Sequence, residues 1–225
     1  MGGSIIVCKD VCVAYGRQEV LHNVNLEIPR GAFLPFIGCN GSGKTTLLRA
    51  ILGLVPLRRG LIETPFDRAP AGYVPQHKVI DPLYPVSVRQ IVEMGLYPRR
   101  RRFRRLDEEQ RNASAAALEQ LGLAEHAKKN FRELSGGMKQ KTLIARALVS
   151  GSEVIVMDEP TSELDEQSEN EVLSHLVELN AQRGITVLMV HHNRELVERF
   201  THTMCRIQRG NAEIVSTGKG GGDNA

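Results

Sequence analysis

The chain has 225 residues, 41% of them apolar, with 29 basic and 26 acidic side chains and a formal charge of +3. That is enough apolar material for one sizeable core, or a core with a smaller lobe, and too little net charge for the whole molecule to act as a strong polyanion binder. No stretch approaches the ~18 apolar residues of a membrane span, and the start, MGGSIIVCKDV, lacks the layout of a secretion signal, so a cytosolic chain is expected.

Residues 4–16 and 19–28 read as β-rich segments, each ending in turn residues. Cys8 and Cys12 have even spacing on the first and are expected to share one face. With Cys39 and Cys205 they form no Cys-x-x-Cys pair, so neither a metal site nor structural disulfides are expected. GAFLPFIG, residues 31–38, is a short apolar run that stops at Gly38. Residues 46–54 carry Leu47, Leu48, Ile51 and Leu52 at helical spacing, so a glycine-rich loop joins a strand to a helix. AGYVPQ, 71–76, is another short strand. Helical patterns dominate from 86 to 150, in 87–96, 106–123 and 136–149.

EVIVMDEP, 153–160, is a buried strand, 166–184 an amphipathic helix ended by Gly184, and ITVLMVHH, 185–192, a second buried strand. Two apolar strands flanking a helix imply a parallel βαβ unit. Residues 217–225 are expected to form a disordered tail. The outline is a single α/β domain over 4–216, with a helical subdomain at about 86–150 inserted in its core.

Gly38-Cys39-Asn40-Gly41-Ser42-Gly43-Lys44-Thr45 matches G-x-x-x-x-G-K-[ST]. Glycines let backbone N–H groups curl around a phosphate chain, and the following helix adds its positive N-terminus. Lys44 should reach the β- and γ-phosphates and the Thr45 hydroxyl should ligate Mg²⁺. The candidate nucleotide contacts are Gly38, Asn40, Gly41, Ser42, Gly43, Lys44, Thr45 and Thr46. A phosphate loop alone means only that a nucleotide binds. VIVMDEP adds chemistry: Asp158 ends a buried strand, where open α/β sheets bind ligands, and fits as a Mg²⁺ partner. Glu159 follows it and can polarise a water towards the γ-phosphate.

With LSGGMKQKTLIARAL at 134–148 and VIVMDEPTSELD, these motifs resemble the ATP-binding-cassette (ABC) ATPases, whose signature reads L-S-G-G-Q, over nearly the whole chain and in the family's order. The resemblance implies a P-loop NTPase core of ABC type with an antiparallel β subdomain and a helical subdomain bearing the signature. It implies ATP and Mg²⁺ as cofactors. It assigns Tyr15 to stacking on adenine, and Gln76 to sensing Mg²⁺ and the γ-phosphate. Ser135, Gly136 and Gly137 would contact ATP bound to a partner subunit, and Asp165 would bridge the two subunits. His192 becomes the switch histidine, with His191 at the Thr/Ser place and Asn193 at the Asp. Strand alternation is expected to send the two histidines to opposite faces.

Four positions depart from the pattern. Met138 replaces glutamine, Glu163 replaces a small residue, Cys39 stands where proline or arginine is frequent, and Pro35 predicts a local irregularity in its strand.

The resemblance further implies a head-to-tail dimer with a second cassette, and an integral-membrane permease supplied by another chain. A solute-binding protein would take part indirectly, and the location would be peripheral on the inner face of the membrane. Residues 73–99 resemble the matching segment of cassettes serving zinc, manganese or iron importers, with chelated iron or cobalamin as the next reading. RRRRFRR, 99–105, reads as a solvated loop or a contact with anionic headgroups. Nucleic acid is not expected as a partner, because relatives acting on it carry tandem cassettes or a long coiled-coil insertion.

Overall fold

The computed structural model describes residues 3–76, 85–97 and 106–217. Two sheets form its frame. In the first, β1 (Ser4–Tyr15) lies between β2 (Gln18–Pro29) and β4 (Arg59–Glu63), all antiparallel. The second runs β5 (Gly72–Val74), β6 (Val154–Asp158), β7 (Thr186–Val190), β3 (Phe33–Ile37), β8 (Thr203–Gln208) and β9 (Asn211–Ser216). Its neighbours are parallel except the final β8–β9 hairpin. The helices are α1 (Lys44–Ile51), α2 (Val88–Met94), α3 (Glu108–Gln120), α4 (Gly136–Val149), α5 (Glu166–Arg183) and the short α6 (Arg194–Val197).

Strand alternation divides the apolar residues of the large sheet between two cores. Val154, Val156, Leu188, Val190, Leu34 and Phe36 pack with Leu47 and Leu48 of α1 and with the three-stranded sheet. Ile155, Met157, Val187 and Met189 pack with α2, α3, α4 and α5. Leu47 and Leu48 are fully buried. Each such side chain stabilises the fold by about 1.5–3 kcal/mol, which fastens α1 and hence the loop before it.

The parallel β6–α5–β7 unit agrees with the sequence reading, and α5 ends at Gly184 in the left-handed conformation with φ 63°. Capping boxes at Ser87–Gln90 and Asp107–Gln110 start α2 and α3. The first glycine-loop helix starts at Lys44, two residues before its apolar pattern, because the end of the loop is its first turn.

Three local expectations are corrected. Cys8 and Cys12 do not share a face. A bulge at Asp10, with φ 52°, shifts the register between Cys8 and Val11. Cys8, Val11 and Val13 then line the core, while the Cys12 sulfur accepts the Asn23 backbone N–H.

Pro35 causes no irregularity towards β7, since the pairing runs unbroken from Phe33 to Phe36. Val187 N–H donates to Ala32 O and His191 N–H to Phe36 O, so even-numbered residues of β3 face β7 and Pro35 faces β8. The β8 ladder pairs only Phe36 and Ile37, so the missing donor falls ahead of it.

Thr217, placed in the tail by its sequence, is buried and tied to the fold. Its N–H donates to His202 O and its hydroxyl to Thr201 O. The rest of that tail and the arginine run at 99–105 lie outside the described residues.

Candidate functional site

The C-terminal ends of β3, β5, β6 and β7 bring the candidate residues to one edge of the large sheet. β3 feeds the glycine loop. At Gly38 a Cβ would lie 2.2 Å from the Ile207 carbonyl oxygen of β8, so only glycine lets the loop pass. Gly43 caps α1 with φ 105°, a conformation that side chains disfavour. The Lys44 ammonium donates to Gly38 O at 2.8 Å and Cys39 O at 3.0 Å, which holds the cation across the loop where phosphate oxygens would compete for it.

Asp158 follows the parity of Val154 and Val156 and so faces α1. The Thr45 hydroxyl donates to Asp158 Oδ1 at 2.9 Å, and Asp158 is 1% exposed. A hydroxyl and a carboxylate beside a phosphate loop suit Mg²⁺, which takes few protein oxygens and completes its shell with phosphates and water. Thr45 and Asp158 therefore fit the expected ion, and Gln76 lines the same cleft as Thr45.

Glu159 is one of four non-glycine residues with positive φ among the described residues, at 47°. The strain turns its carboxylate out of the strand direction, where Oε2 accepts from Gln76 Nε2 at 2.7 Å. A cleft of about 550 Å³ is lined by Asn40, Gly41 and Gly43 to Thr46 of the loop and helix start, by Gln76 and Glu159, and by Gln18 and Val20 of β2. Sequence reasoning missed Gln18 and Val20. Their only signal was position, on the strand that returns from Tyr15. Tyr15 stands 49% exposed at the end of β1, paired with Gln18.

Ser135, Gly136 and Gly137 do not line this cleft. Ser135 caps α4 by accepting the Met138 N–H at 3.3 Å, and Ser135 and Gly136 are exposed. Met138 itself packs half-buried against the helical core, where an apolar side chain costs nothing in desolvation. Asp165 caps α5. It accepts from Ser168 N–H at 2.9 Å and Ser168 Oγ at 3.0 Å, and these bonds hold its carboxyl below the ordinary carboxylate range.

The two histidines do not part as alternation predicts. β7 ends at Val190, and beyond it the rings stack, centroids 5.3 Å apart and planes 5° from parallel. They differ in burial: His191 is 1% exposed and His192 is exposed. Burial lowers the His191 imidazole below its ordinary value, against an opposing pull from Glu169 and with a smaller push from His192. Thr161 and Glu169, which no motif singled out, bond to His191.

The arrangement brings a glycine-rich loop with its lysine, a hydroxyl bonded to a buried carboxylate, and a second carboxylate to one place. The sequence profile of the ABC transporter family matches residues 21–162. The manganese transport system ATP-binding protein MntB of Bacillus subtilis (strain 168) is 37% identical over 85% of this chain and 78% of its own. The zinc transport system ATP-binding protein TroB of Treponema pallidum (strain Nichols) is 34% identical over 93% and 79%. The iron(3+)-hydroxamate import ATP-binding protein FhuC of Bacillus subtilis (strain 168) is 32% identical over 88% and 77%.

Among solved structures, a metal-chelate type ABC transporter in an inward-facing conformation superposes with a TM-score of 0.86 at 30% identity, covering 95% of this chain and 84% of that one. The dimeric cassette MJ0796 in a post-hydrolysis state with ADP and Pi superposes with a TM-score of 0.78 at 27% identity, covering 94% and 98%.

Proposed function

The chain belongs to the ABC transporter family and is its ATP-hydrolysing cassette, and from that premise we propose that it works as a dimer with Mg-ATP and powers a separate permease importing a transition-metal ion such as manganese or zinc. The observation that carries the chemistry is the single cleft holding Lys44, Thr45, Gln76 and Glu159, with the buried Asp158 bonded to Thr45.

In this reading the loop amides and Lys44 bind the β- and γ-phosphates, and Tyr15 stacks on the adenine. Thr45, Asp158 and Gln76 hold Mg²⁺, which when bound neutralises charge on the phosphates. Glu159 accepts the proton of a water whose oxygen bonds to the γ-phosphorus as the bridging P–O bond to ADP breaks. Gln76 fixes that carboxylate from the side, and His192 meets the γ-phosphate. Ser135 and Gly136, exposed away from their own cleft, serve the nucleotide of a second copy. Asp165 closes the same contact while capping α5.

The chain would sit on the inner face of the membrane against its permease, served indirectly by a solute-binding protein. Among the described residues no helix is long and apolar enough to cross a membrane. Similarity to manganese and zinc cassettes supports the metal reading. Chelated iron is the second reading, favoured by the hydroxamate cassette and the metal-chelate transporter.

The test is uptake in cells whose own copy carries Lys44→Ala. Manganese or zinc accumulation should collapse while ferric-hydroxamate accumulation is unchanged. The reverse pattern would replace the first reading by the second, and no change in either would remove both.

A further inference from the structure

We propose that His191, which the nucleotide cleft does not use, is a positioning residue that locks the ring of His192 to the segment running from Thr161 to Glu169. The proposal rests on the reading of His192 as the side chain that meets the γ-phosphate.

His191 continues the odd-numbered face of β7, after Val187 and Met189, and so points at α5 rather than α1. Its Nδ1 accepts the backbone N–H of Asn193 at 3.1 Å. A neutral imidazole with an accepting Nδ1 carries its proton on Nε2. Nε2 lies 3.2 Å from Glu169 Oε1 and 3.2 Å from Thr161 Oγ1. The Thr161 hydroxyl donates to the same Glu169 oxygen at 2.6 Å. Two donors thus converge on one carboxylate oxygen beside a side chain that is almost wholly buried. The backbone N–H of His191 donates to Phe36 O at 3.1 Å, on the strand that delivers the phosphate loop.

Three segments therefore meet at one residue: the end of β3, the turn after Glu159, and the first turn of α5. The stacked rings carry that position to His192, whose plane lies 5° from that of His191. Packed buried contacts have discrete arrangements rather than a continuum. A shift of Thr161 against Glu169 would accordingly re-aim His192. The same turn carries Glu159, so carboxylate and histidine move together.

The experiment uses the full chain and the variants His191→Ala, His191→Gln, Glu169→Gln and His192→Ala, with kcat, KM for ATP, Mg-ATP affinity and thermal midpoint measured for each. His191→Ala should lower kcat about tenfold or more while KM and affinity stay within about threefold, since an interaction made only in the transition state is lost. Glu169→Gln keeps size and fold and should lower kcat in the same direction. Combined with His191→Ala it should add little, because both break one chain of contacts. His191→Gln returns a donor towards Glu169 and should recover part of the rate.

Wild-type turnover in His191→Ala overturns the proposal. So do losses in His191→Ala and Glu169→Gln that simply add, or that follow a fall in thermal midpoint and ATP affinity. Wild-type turnover in His192→Ala, with His191 intact, removes the premise about the γ-phosphate and the proposal with it.

Discussion

The Thr45 hydroxyl donates to the Asp158 carboxylate at 2.9 Å across 113 positions of sequence. The bond joins the helix after the phosphate loop to the last residue of β6, the two groups proposed to hold Mg²⁺. Asp158→Asn keeps the shape and removes the charge. Nucleotide affinity in EDTA should be unchanged, and the gain in affinity on adding Mg²⁺ should fall. An undiminished Mg²⁺ effect, measured by calorimetry, would exclude Asp158 from the cation site.

Glu159→Gln tests the general base. ATP should still bind and hydrolysis should fall by about 10²–10⁴-fold. An ATP-dependent dimer should then accumulate, visible by size-exclusion chromatography. Turnover near that of the wild type would mean that the strained carboxylate held by Gln76 does not take the proton.

Thiol reactivity should separate the cysteines. Burial pushes Cys8 and Cys205 up to about 12, with Cys8 and Glu213 adding to the effect on Cys205. Both thiols therefore stay protonated and shielded near pH 8, and Cys12 is buried as well. Cys39 is exposed in the phosphate loop. A maleimide should modify Cys39 first in the native chain, and Mg-ATP should slow that reaction. Equal rates with and without Mg-ATP would show that nucleotide does not cover the loop.

The helical subdomain has its own test, away from nucleotide. A Cβ at Gly95 would lie 1.9 Å from the Arg146 carbonyl oxygen and 2.7 Å from Val149 Cγ2, although the φ of Gly95 is an ordinary −63°. Gly95 is therefore required for close approach of α2 to α4, not for backbone freedom. Gly95→Ala should cost about 1–3 kcal/mol by overpacking, read as a lower thermal midpoint. An unchanged midpoint would mean that α2 and α4 can separate freely.

Much of this molecule is written locally. The phosphate loop, the two buried apolar strands that carry Asp158 and Val190, and the span of α4 follow from spacing and residue type alone. Glycine freedom, helix dipoles and buried parallel strands act within a few residues of chain. The elements missed lack that signal. β4 and β9 bury few side chains, so no apolar alternation marks them. The β8–β9 turn rests on positive φ at both Arg209 and Gly210, and arginine does not advertise that conformation.

The chain by itself determined that a phosphate cradle precedes a helix and that an acidic pair follows a buried strand. Only the tertiary structure decided which side chains share a face. The bulge at Asp10 reverses the parity of Cys12, and the end of β7 at Val190 lets two histidines stack that alternation would part. It also decided that His191 belongs to Thr161 and Glu169 rather than to the nucleotide. The physical reason is that parity is a property of regular strand. Where a bulge or a strand end breaks the pleat, the direction of a side chain is set by the contact it finds there, the Asn23 N–H for Cys12 and the His191 ring for His192.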